Sequence, residues 1–135
     1  MHRSIATLFL ALSALLSALV PGAVRAADEP LRVLFLGDRG HHLPAERFAQ
    51  LEPVLADRGI ELVWTEDLAD LNPATLAKYD ALAVYANIDE LPPKAEGALL
   101  EYVRGGKGLV PLHCASYCFR NSPAWVDMVG AQFQR

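Results

Sequence analysis

Two pairs of residues carry the side chains best suited to chemistry, His41-His42 and His113-Cys114. The second pair lies in the stretch Lys107 to Phe119, where an apolar run leads straight into His-Cys and then small residues. In open α/β sheets ligands bind beyond the carboxyl ends of the strands, so a His and a thiol there stand at a reactive rim. Cys114 is the one candidate covalent nucleophile at that rim. The histidines suggest different chemistry: imidazole is the commonest metal ligand, and His41, His42 and His113, with Asp38 supplying an oxygen, suit a divalent ion with an open position. The bland alternative is that the loop histidines are solvated and His113 bonds a loop carbonyl. Asp38 and Asn87 are placed to hydrogen-bond a sugar hydroxyl, although both types are also ordinary loop formers.

These residues need a scaffold that brings distant loops together. Leu31 to Leu36 reads as a strand buried on both faces, and Gly37 to His42 as the loop after it. Ala45 to Arg58 reads as a helix with Phe48, Leu51 and Leu55 on one face, opened by Pro44, stopped by Gly59 and expected to kink at Pro53. Ile60 to Trp64 is the second strand. Asn72-Pro73 opens a short helix ending near Tyr79, and Ala81 to Ala86 is the third strand. Pro92-Pro93 launches a helix with Ala95, Leu99, Tyr102 and Val103 as its buried stripe, and Gly105-Gly106 ends it. Leu109 to His113 is the fourth strand, and Ser122-Pro123 starts a last helix through Trp125, Val126 and Val129. Trp64 and Trp125 read as core residues more readily than as sugar-stacking platforms.

Strands alternating with helices predict right-handed parallel crossovers and a doubly wound, flavodoxin-like α/β fold of three layers, α/β/α. The second strand then lies outermost beside the first, and the third separates the first from the fourth. Strands about 4.8 Å apart place the ends of the first and fourth roughly 10 Å from each other. The His41-His42 loop is therefore expected to reach the rim at His113 and Cys114.

The amino-terminal 26 residues predict a compartment. Met1 to Arg3 is a short basic start, Ile5 to Val20 is apolar or small, and Val24-Arg25-Ala26 suits a signal peptidase, so 1–26 reads as a signal peptide. The apolar run is shorter than the roughly 20 residues of a spanning helix. Periplasmic or extracellular export follows, with no membrane association after cleavage. Cleavage removes Arg3 and Arg25 from 12 basic side chains, leaving ten against 16 acidic ones and a net charge of −6 in place of −4. That balance, without a basic stripe, excludes nucleic acid as an expected partner. Residues 27–135 suffice for one domain. After Gly130 to Phe133 no element follows to cover the fourth strand's outer edge, so the domain reads as incomplete.

Leu31 to Gly37 with the His-His loop, Ala81 to Asn87, Gly105 to His113 and Gly130 to Phe133 together resemble the ThuA-like family. That family is named for trehalose utilisation and is similar in fold to class I glutamine amidotransferases. The resemblance covers the mature chain as the amino-terminal part of a family domain, and relatives continue into further domains, including c-type haem domains. It implies a small carbohydrate-related ligand at the strand ends, and a further His after the Gly-x-x-Phe segment. By the amidotransferase likeness Cys114 takes the place of the nucleophile. Against that role, Leu112 is bulky where a tight elbow needs a small residue, and no His and acid follow to activate the thiol. Cys114 and Cys118 are too widely spaced for a haem-attachment signature, and a bridge between them is an open alternative. Three readings remain: an enzyme using a His-bound metal or an acid-base pair, a non-catalytic binding module, and a Cys-dependent hydrolase or amidotransferase-like enzyme.

Overall fold

The computed structural model describes residues 29–134, so the proposed signal peptide lies outside the described residues. The strands are β1 (Leu31–Leu36), β2 (Ile60–Thr65), β3 (Ala81–Val84) and β4 (Gly108–Pro111). The helices are α1 (Pro44–Ala56), α2 (Pro73–Leu76), α3 (Pro93–Arg104) and α4 (Pro123–Val129), with 3-10 turns at Leu68–Asp70 and His113–Tyr117. The sheet is parallel throughout in the order β2-β1-β3-β4, the flavodoxin-like order expected from the alternation of strands and helices.

Register decides what each face of the sheet carries, because successive side chains alternate sides. Leu34, Leu82 and Leu109 align across the sheet, as do Leu36, Val84 and Pro111. On this face α2, α3 and α4 build the main core, with Leu76, Ala95, Ala98, Leu99, Tyr102 and Trp125 packed against the strand leucines. The opposite face aligns Trp64, Phe35, Ala83 and Val110. There α1 supplies Phe48, whose ring meets Phe35 edge-on at 5.6 Å, while Trp64 stacks on Phe35 at 5.7 Å. Three layers result.

Local signals explain where the helices begin. The Asn72 side chain accepts from Thr75 N–H and the Ser122 hydroxyl from Trp125 N–H, each followed by a proline that has no N–H to satisfy. Trp125 is buried as expected, and its indole N–H donates to Ala115 O at 3.2 Å, fastening the 3-10 turn that begins at His113.

Some boundaries differ from the sequence reading. Helix α1 runs unbroken through Pro53, but its expected apolar face is thinly covered, with Leu51 exposed and Leu55 only half-buried, because α1 packs over the edge strand β2 instead of the sheet centre. In α3 the buried stripe includes Ala98, with Val103 at its margin. Strand β3 stops at Val84, and β4 stops at Pro111, two residues before His113. Leu112 N–H still donates to Val84 O at 2.9 Å, after which His113 takes a φ of 47° and turns the chain out of the sheet plane.

Candidate functional site

Three loops at the carboxyl ends of β1, β3 and β4 meet on one rim. After β1 the chain turns tightly, closed by Leu43 N–H donating to Gly40 O at 3.1 Å, and His41 and His42 occupy the two positions inside that turn. The Asp38 carboxylate fixes the turn: one oxygen accepts from Gly40 N–H at 2.7 Å and the other accepts from Asn87 N–H in the loop after β3. Asp38 is thus a clamp between two loops. It stands behind the cleft described below and is not among its lining residues.

His113 opens the 3-10 turn after β4 in a positive-φ conformation that few non-glycine residues adopt. A sharp, strained turn from strand to helix is where hydrolases of this general architecture expose a nucleophile. Here the exposed residue at the turn is His113, and Cys114, expected in that place, is the next residue inward and buried. Burial pushes the Cys114 thiol above its ordinary pKa, and the Asp38 charge acts in the same direction against a backbone hydrogen bond. Cys118 is held more firmly: its Sγ donates to Ala86 O at 2.8 Å and accepts from Ile88 N–H, and burial pushes its thiol up to about 12. Both cysteines are free thiols, so the bridge considered between them is not formed.

The histidines do come together. His113 Nε2 lies 3.3 Å from His42 Nδ1, one ring donating and the other accepting, and the two rings meet edge-on with centroids 4.6 Å apart. The ring of His41 lies 4.0 Å from that of His42, and Tyr85 flanks His113 at 5.8 Å. Desolvation lowers the pKa of His42, with His41 and His113 adding to the effect and Asp38 opposing it. His42 is therefore harder to protonate than a free imidazole.

Around this pair opens a cleft of about 470 Å³ lined by His41, His42, Asn87, His113, Cys114, Ser116, Tyr117 and Phe133. The backbone N–H of Asn87 is taken by Asp38, while its side-chain Oδ1 is buried with no hydrogen-bond partner. Among the described residues no group of three His, Cys, Asp or Glu side chains is arranged to hold a metal ion. Ser116, Tyr117 and Phe133 are cleft residues that the sequence reading did not single out as site residues. Their only sequence signal is that Gly130 to Phe133 recurs in the family pattern, and Phe133 reaches the cleft because its N–H donates to Ser116 O at 3.0 Å.

Comparison with known proteins identifies the relatives of this arrangement. The sequence model of the ThuA family, described as trehalose utilisation, matches residues 32–135. The chain belongs to the ThuA family. A ThuA-like protein from Bacteroides uniformis superposes with a TM-score of 0.64 at 19% identity, over 80% of this chain and 47% of that one. A second ThuA-like protein, from Parabacteroides merdae, gives a TM-score of 0.61 at 20% identity, over 72% of this chain and 37% of its own. At these identities the likeness concerns the fold, and this ThuA chain spans less than half the length of either structure. No curated protein matches it significantly.

Proposed function

We propose that this ThuA domain binds a small, hydroxyl-rich, sugar-derived ligand in the cleft beyond β1, β3 and β4, with the His42–His113 pair as the group that exchanges a proton with it. The observation that carries this reading is a cleft that gathers two mutually bonded imidazoles and Asn87, whose Oδ1 is buried behind the cleft wall with no partner. A buried acceptor without a partner is costly, and a turn of the Asn87 side chain toward the cleft would let a ligand hydroxyl satisfy it. A hydrogen-bonded imidazole pair sets a proton donor beside a proton acceptor, the general acid and base that sugar chemistry calls on. The family description, trehalose utilisation, points to the same class of ligand.

Among the described residues a divalent ion would find only His42 Nδ1 and His113 Nε2 as paired ligands, and these nitrogens are hydrogen-bonded to each other, so proton exchange is the role the pair favours over metal binding. The Cys-dependent hydrolase is disfavoured, because the Cys114 thiol is buried and its pKa raised. We also propose that the protein is exported after loss of residues 1–26. Amino-terminal sequencing of the protein from its own cells would then begin at Ala27, and an intact Met1 would overturn the proposal.

The ligand proposal is tested by calorimetry of the purified protein with glucose, trehalose and sorbitol. Asn87→Ala should weaken sugar binding about tenfold, equivalent to ~1.4 kcal/mol for one lost hydrogen bond to a buried acceptor. Unaltered affinity in both Asn87→Ala and His113→Ala would refute the assignment. Following the same sugars by NMR separates enzyme from binding module, since turnover that disappears in His113→Gln requires the proton-exchanging pair.

A further inference from the structure

The cleft has two chemically distinct parts. Most of its hydrogen-bonding residues, His41, His42, Asn87 and His113, come from the loops after β1 and β3 and from the start of the 3-10 turn, with Ser116 further along that turn. Its aromatic carbon comes from the end of that turn and from the segment after α4. Phe133 is 61% exposed, yet it is not a loose surface residue: its N–H is tied to Ser116 O at 3.0 Å, and its ring lies 6.2 Å from that of Tyr117. Tyr117 is fixed in turn, with the Arg120 guanidinium 4.5 Å over its ring and Arg120 held by Asp89 at 2.6 Å. An isolated exposed phenylalanine needs no explanation, but one braced against a second, anchored ring beside the paired imidazoles of His42 and His113 does.

We infer that Phe133, backed by Tyr117, is a stacking platform that gives the cleft a subsite for the apolar face of a pyranose ring. The inference rests on the sugar-binding reading above and narrows it. A pyranose with equatorial hydroxyls presents polar groups around its edge and C–H bonds on its faces, so it needs hydrogen-bonding partners at the rim and an aromatic surface against a face. An open-chain polyol has no such face. The cleft offers both kinds of surface, and Phe133 is the element that distinguishes ring from chain.

The test compares glucose with sorbitol as probes by saturation-transfer NMR and calorimetry, using wild type, Phe133→Ala, Phe133→Trp and His113→Ala. Unchanged circular dichroism and melting are expected for both Phe133 variants, since the side chain is mostly exposed. Phe133→Ala should lose about tenfold in glucose affinity, Phe133→Trp should retain it, and sorbitol affinity should change less than about twofold in both. Glucose binding that survives Phe133→Ala but is lost in His113→Ala would overturn the platform and leave the cleft reading intact. Equal losses for glucose and sorbitol in Phe133→Ala would overturn it too, because the residue would then act on cleft shape. Absence of sugar binding to the wild type would overturn both proposals.

Discussion

Asp38 offers the sharpest separation between holding the site together and touching a ligand. Its carboxylate accepts two backbone N–H bonds, from Gly40 and, across 49 positions of sequence, from Asn87. Hydrogen bonds to a charged group contribute about 1.5–3 kcal/mol each, and the lower part of that range applies to a half-buried carboxylate. Asp38→Ala should therefore destabilise the fold by about 2–4 kcal/mol and free the His41-His42 turn from the β3 loop. Asp38→Asn keeps one acceptor but turns an amide donor toward the other N–H, so it should recover at most about half of the loss. Urea denaturation followed by tryptophan fluorescence reads this directly. With a slope of about 1–3 kcal/mol per molar urea, the midpoint of Asp38→Ala should fall by roughly 1–2 M. Binding should weaken alongside, because Asn87 and His42 lose their common tether. A midpoint unchanged within about 0.2 M would refute the clamp. Full stability with sugar binding abolished would return Asp38 to the ligand-binding role expected from the sequence.

Three further outcomes follow from the same geometry. A methyl group at Gly37 would lie 1.9 Å from the Trp64 indole, itself stacked on Phe35, so Gly37→Ala should cost about 1–3 kcal/mol in urea denaturation, and Trp64→Leu in the same chain should relieve part of that cost non-additively; additive losses would contradict the clash. The imidazole of His42 should titrate below its ordinary 6.5 in ring NMR and move back toward it in His113→Ala. Because the folded chain then holds this proton less well than the unfolded chain, the contribution of His42 to stability is present above 6.5 and is lost as pH falls through the lowered pKa; titration at or above 6.5 would contradict the assigned causes. Cys114→Ser should leave any sugar turnover within about tenfold of wild type, and thiol reagents should label Cys114 slowly at pH 7; orders-of-magnitude loss with the fold retained would restore the covalent nucleophile.

The sheet was legible because its signals are local. Apolar runs such as Leu31 to Leu36 are bounded by glycine or proline, Asn72 and Ser122 precede prolines at helix starts, and strands spaced by helices leave few topologies. The reach of the His41-His42 loop to His113 followed from that topology alone, and the rings do meet. What failed to show was whatever depends on one backbone angle or on distant neighbours. The pattern Leu109 to His113 carries no mark of the positive φ that ends the strand early and exposes His113 in place of Cys114. The clamp role of Asp38 depends on β1 and β3 being adjacent, and the exposure of Leu51 on α1 lying over an edge strand. Phe133 enters the cleft through a single backbone bond to Ser116, made after the chain has returned through α4.

The positive φ at His113 also limits how this site can diverge. Glycine, asparagine, aspartate and histidine occupy that region most readily, and other side chains do so under strain, as Leu43 and Phe119 do elsewhere in this chain. Replacements that keep the turn are thus a short set, and each brings a different chemistry to the same point: none from glycine, an amide from asparagine, a carboxylate from aspartate. Position 113 can exchange one kind of reagent for another while the scaffold stays as it is. Descendants of this domain that change their reaction have that set to draw on, and a serine nucleophile could join it only under the strain that a nucleophile elbow stores.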